Sequence, residues 1–163
     1  MKKYNITVAN DRALITTPFN RNFIKKIKGI GSAKWNGSQW DVPEYAIDIV
    51  REFMQEVYGE TDIFSCEKID LGITLKEAIS EYRAGIELFG KSICHAYGRD
   101  SGAKISEDVI LKTGKMASGG SAKWWTTEIE KGTTFILKNV ALDIYEKTKI
   151  SDNIEVVILN DKK

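Results

Sequence analysis

Pro18-Phe-Asn-Arg-Asn-Phe-Ile-Lys-Lys-Ile-Lys-Gly-Ile-Gly-Ser-Ala-Lys-Trp-Asn-Gly-Ser-Gln-Trp-Asp-Val-Pro43 is the stretch on which the reading of this chain turns. Asn20 is a strong helix N-cap, because its short side-chain oxygen accepts from N–H groups that the first turn leaves unpaired. Phe19 and Ile24 flank it at hydrophobic-staple spacing, and Gly29 is placed to end the helix. Within that helix Phe23, Ile24 and Ile27 gather on one side. Arg21, Lys25 and Lys28 line the other, with Lys26 on the flank.

The helix leads into a hairpin over residues 33–42. Asn36-Gly37 is the strongest short hairpin signal, since both residues tolerate positive φ. As a two-residue loop it sets Trp35 opposite Ser38 and Ala33 opposite Trp40. Trp35 and Trp40 then lie diagonally on one face, with Lys34 and Gln39 on the other. A three-residue loop separates the tryptophans.

Working outward, residues 4–8 and 13–17 are expected as strands joined by the polar pair Asn10-Asp11. Pro43 occupies the position at which helices favour proline as a first residue. Ala46, Ile47, Val50, Phe53, Met54 and Val57 follow as an apolar stripe that Gly59 closes. Residues 1–59 therefore read as one β-β-α-β-β-α module.

Residues 60–163 read as a second, mainly β domain with one helix. Thr74-Leu75-Lys76-Glu77 has the form of a capping box opening a helix to about Arg83, with Leu75, Ala78, Ile79 and Tyr82 apolar. Strands are expected at 86–96, 108–112, 123–129, 133–138 and 155–159. Ser118-Gly119-Gly120-Ser121 is expected to be a mobile loop. The fold class is thus α+β.

The 163 residues carry a formal net charge of only +1. The distribution is uneven: residues 1–58 hold nine Lys/Arg against six Asp/Glu, and the remainder hold fifteen against seventeen. Between Pro18 and Val42 there are five basic residues and one acid, which favours a polyanionic partner for the first third of the chain.

No apolar run approaches the roughly 20 residues of a bilayer span. The opening Met1-Lys-Lys-Tyr-Asn5 has no hydrophobic stretch behind it. Cys66 and Cys94 are too few for a disulfide framework or zinc site. A cytoplasmic protein with reduced thiols and no membrane contact is expected.

The order of elements, with the run Pro-Phe-Asn-x-x-Phe-Ile-x-x-Ile-Lys-x-Ile-x-x-Ala-Lys-Trp-x-x-x-x-x-Trp-x-Val-Pro, resembles the HARP domain. That module stands beside the motor of annealing, fork-remodelling helicases. The resemblance covers residues 4–58 and implies a compact α/β fold that binds DNA, often at branched or single-strand/double-strand junctions. It carries no motor into this chain. In Gly114-Lys-Met-Ala-Ser-Gly119-Gly-Ser121 a glycine replaces the lysine that a phosphate-binding loop requires.

Under this reading DNA is the partner, bound by shape rather than sequence. Arg21, Lys25, Lys26, Lys28 and Lys34 would meet phosphates, and Trp35 or Trp40 would stack on a base or wedge a junction. Lys123-Trp124-Trp125, with Arg99, offers a second surface, since one of two adjacent strand residues faces outward. Ser121-Ala-Lys-Trp124 repeats Ser32-Ala-Lys-Trp35 with unmatched flanks, and is taken as coincidence. Arg99-Asp100-Ser101-Gly102 reads as a turn.

No catalytic residue, metal site or cofactor is assigned. Cys94 and His95 are adjacent, and neighbours on a strand point to opposite faces, which opposes a nucleophile–base pair. The carboxylates are scattered without metal-ligand spacing. The alternative to DNA binding is a phage-type counter-defence or interaction protein that binds a host protein or a signalling nucleotide. An uncharacterised hydrolase centred on Cys94 and His95 is the third reading.

Overall fold

The computed structural model describes residues 3–159. The chain divides into two compact units, the first ending at Glu67 and the second starting at Lys68. The whole is α+β: fourteen strands in four small antiparallel sheets, with three helices, among the described residues. Among those residues no helix is long and apolar enough to cross a membrane.

In the first unit, β1 (Asn5–Ala9) and β2 (Arg12–Thr16) form a hairpin whose loop residues Asn10 and Asp11 both take positive φ, 54° and 63°. Two such residues in succession match the twist of a two-residue loop to that of its strands. Next comes α1 (Arg21–Lys28), capped as its sequence requires. Asn20 Oδ1 accepts from the N–H groups of Asn22 at 2.8 Å and Phe23 at 3.1 Å. Gly29 ends the helix with ordinary φ −72°, and the chain runs on through short turns to β3 (Lys34–Trp35) and β4 (Trp40–Pro43).

Pro43 does not start a helix: it is the last residue of β4, paired with Arg12. A single 3-10 turn, Glu44–Ala46, precedes α2 (Ile47–Tyr58). There Gly59 closes α2 at φ 73°, a left-handed conformation that costs glycine nothing. The sheet order is β1-β2-β4-β3. Ala13, Ile15, Trp40 and Val42 from one sheet face pack with Phe23 and Ile27 of α1 and Val50, Met54 and Val57 of α2.

The segment after Gly59 is fastened to α2 by a two-point ion pair, Arg51 Nε to Asp62 Oδ1 at 3.0 Å and Nη2 to Oδ2 at 2.9 Å. This pairing holds the Arg51 guanidinium above its ordinary pKa, chiefly through the hydrogen bond to Asp62.

The second unit opens with β5 (Lys68–Leu75), where a helix was expected from Thr74. Ile69, Leu71, Ile73 and Leu75 are buried at strict alternation, so period two overrides the capping-box pattern. The rest of that expected helix is β6 (Ile79–Tyr82). Residues 86–96 form a hairpin of two strands, β7 (Ile86–Leu88) and β8 (Lys91–Ala96), rather than one. There follow β9 (Ala103–Ile105), β10 (Val109–Thr113), β11 (Met116–Gly120), β12 (Trp125–Ile129) and β13 (Thr134–Ala141). The short α3 (Leu142–Lys147) and β14 (Ile154–Ile158) complete the unit.

Its three sheets run β10-β13-β5-β14, β11-β12-β6 and β7-β8-β9. The Thr127 hydroxyl joins two of them inside the core. It donates to Ala84 O at 2.6 Å and accepts from Ala96 N at 2.9 Å.

Candidate nucleic-acid interface

Helix α1 sorts its side chains by burial. Phe23 and Ile27 are buried in the core, while Arg21, Lys25 and Lys28 are exposed. Lys25 and Lys28 have no ion pair among the described residues, so their ammonium groups meet solvent. Lys26 differs from them. Its Nζ lies 2.7 Å from Glu56 Oε2 and 5.5 Å from the centre of the Phe53 ring, which ties α1 to α2 and diverts this cation from phosphate contact.

The hairpin departs from the expected register. Trp35 pairs directly with Trp40, and Lys34 with Asp41. The loop is therefore four residues, Asn36 to Gln39, closed by Asn36 N donating to Gln39 O at 3.0 Å. Asn36 Oδ1 draws in the N–H groups of Ser38 at 3.0 Å and Gln39 at 2.8 Å, an Asx-type turn that outcompetes the two-residue loop. The tryptophans still share a face, with ring centres 5.4 Å apart.

Their environments differ sharply. Trp40 is 8% exposed and belongs to the core, whereas Trp35, on the two-residue edge strand, is 55% exposed. Only Trp35 of the pair can meet a base. Lys34, exposed as well, points to the opposite side of the sheet from Trp35. Trp35 and α1 thus lie on one side of the sheet and Lys34 on the other, away from the stripe.

A residue the sequence does not single out positions this hairpin. Arg12 Nε donates to Asp41 Oδ1 at 2.7 Å, and its Nη2 donates to Ser32 O at 2.9 Å and Asp41 O at 3.1 Å. The one guanidinium clamps β4 to the chain that enters β3.

In the second unit, Lys123 and Trp124 lie in the turn before β12, and only Trp125 of the run is in the strand, which was expected to start at 123. Trp124 is 53% exposed, at the tip between β11 and β12. Trp125 turns inward toward His95, with ring centres 6.2 Å apart. Arg99 pairs with its neighbour Asp100 at 3.2 Å in the turn between β8 and β9. Ser118-Gly119-Gly120-Ser121 is not a mobile loop, since Ser118 to Gly120 lie in β11. Ser118 Oγ pins the Arg99 turn by donating to Arg99 O at 2.8 Å and accepting from Gly102 N at 2.8 Å.

Cys94 is 0% exposed, and burial pushes its thiol from 9.0 up to about 12. A thiol so placed stays protonated at neutral pH and is a poor nucleophile. His95 is turned away from it: the Nδ1–H group donates to Ala96 O at 2.5 Å and the ring stacks on Tyr97 at 4.5 Å. The geometry therefore does not favour a Cys94–His95 nucleophilic pair.

No family model matches the chain, and no curated protein or solved structure matches it.

Proposed function

We propose that the chain is a non-enzymatic DNA-binding protein whose first unit acts in the manner of a HARP module. The observation that carries this reading is the exposed row Arg21, Lys25 and Lys28 on a well-capped helix, next in the chain to a hairpin presenting Trp35. Cations at one-turn spacing suit a phosphate backbone, and an indole more than half exposed suits an unpaired base. Asn36 and Gln39 of the hairpin are engaged in its own turn and by Thr16, so the reading is of shape.

Lys25→Glu with Lys28→Glu tests it. The pair should abolish binding to forked and duplex DNA in a mobility-shift panel while leaving the circular dichroism spectrum unchanged. Absence of binding by the parent protein at low salt would refute the reading.

A second reading draws on exposed apolar side chains in the same unit: Tyr45, Ile49, Ile63 and Phe64. These suit a protein partner, as an interaction or counter-defence protein would require. It predicts a stoichiometric complex from host lysate that survives nuclease, and Tyr45→Ser with Ile49→Ser should remove it.

A further inference from the structure

The hairpin tip of β11 and β12 gathers aromatic rings and cations that the first unit's site does not use. Ser121 Oγ accepts from Trp124 N at 2.9 Å, and Ser121 N donates to Trp124 O at 3.2 Å, so the tip is a closed four-residue turn. The Trp124 ring stands edge-on to Tyr82, with centres 6.5 Å apart and planes at 87°. Tyr82 is 69% exposed.

Arg83 Cζ and Lys123 Nζ each lie 5.9 Å from the centre of the Trp124 ring. Arg83 takes positive φ, 51°, at the end of β6, where its N–H donates to Trp125 O at 2.9 Å. That hydrogen bond fixes the backbone that carries the guanidinium beside Trp124.

We propose that Tyr82, Arg83, Lys123 and Trp124 form a second site, which binds single-stranded nucleic acid. Two cations flank one exposed indole, and no carboxylate pairs with either among the described residues. A phosphodiester supplies the missing counter-charge, and Trp124 and Tyr82 supply faces for the bases on either side of it. Glu128 shares one face of the sheet with Thr126 and its cross-strand partner Tyr82, and lies four residues along the chain from Trp124. Its carboxylate folds over Gly119.

The two Ser-Ala-Lys-Trp tetrapeptides have different backbones, one entering a hairpin loop and one forming it. Both nonetheless end in an exposed indole beside a lysine at a hairpin tip. The site depends on no residue of α1, so the two readings stand or fall separately.

The test is fluorescence anisotropy of a labelled oligo(dT) single strand, and of a duplex of equal length, with the full chain. Single-strand affinity should fall roughly tenfold or more on Trp124→Ala, as loss of a base–aromatic stack does, and should largely recover in Trp124→Phe. Arg83→Ala with Lys123→Ala should lower it further and flatten its salt dependence, while duplex affinity holds. Repeating Trp124→Ala in the Lys25→Glu, Lys28→Glu background separates the sites: the single-strand loss should persist there even if the α1 charges prove irrelevant. Unchanged single-strand affinity in Trp124→Ala and in the Arg83, Lys123 variant would overturn the proposal, as would equal losses on both DNAs.

Discussion

Trp35 and Trp40 are neighbours in one hairpin, yet they divide into a surface and a core residue, and substitution should separate them. Trp40→Ala opens the core and should cost about 3–5 kcal/mol in a urea melt, the range for large aromatic truncations. Trp35→Ala removes a half-exposed ring, so its stability cost should be much smaller, while affinity for forked DNA should drop by the worth of about one stacked base, 1–3 kcal/mol. Cys94 supplies a pH test. Its thiol is raised in the folded state from 9.0 to about 12, so the folded chain holds that proton more tightly than the unfolded one. The corresponding stability is complete below pH 9.0 and is lost as pH climbs toward about 12. Urea midpoints should fall more steeply above pH 9.0 for the parent than for Cys94→Ala, and a thiol reagent at pH 8 should modify Cys94 only in denaturant.

Among the elements, α1 and the β3–β4 hairpin owe their placement to a few polar side chains. Replacing the N-cap in Asn20→Ala should cost about 1 kcal/mol. Arg12→Ala removes three charged hydrogen bonds at the base of the hairpin and should cost about 1–3 kcal/mol. It should also weaken DNA binding although Arg12 touches no DNA in this account. Gly114 should resist substitution. It has φ +89°, and an added Cβ would approach Thr133 Cα to 2.6 Å, so Gly114→Ala should cost about 1–3 kcal/mol. Gly31→Ala, with nothing within 4 Å, should be neutral or stabilising. Much of α1, its cap, the first hairpin and the stripe of α2 was legible because each rests on local chemistry within a few residues. The loop of the Trp hairpin departs from the two-residue expectation because Asn36 uses its side chain to build a longer turn than Asn-Gly usually makes. Strand β5 was legible in the alternation of Ile69, Leu71, Ile73 and Leu75, but the local Thr74–Glu77 pattern masked it. Arg12, Tyr82 and Arg83 carry no local signal. Their roles come from partners far along the chain, which no spacing rule exposes.

At the scale of the whole molecule, the net charge of +1 conceals a basic first third and an acidic remainder. A net charge this small gives little diffuse attraction to DNA, so binding requires a local phosphate footprint. Each neutralised phosphate on duplex DNA contributes a slope of about −0.9 to log K against log salt. Arg21, Lys25 and Lys28 together therefore imply about −2.7. The most direct measurement is that slope for forked DNA, taken by anisotropy over a salt series for the parent chain and for Lys25→Ala with Lys28→Ala. The parent should give a slope near −3, and the double variant should reduce its magnitude by about 1.8. A flat response in the parent, or an unchanged slope in the variant, would contradict the account.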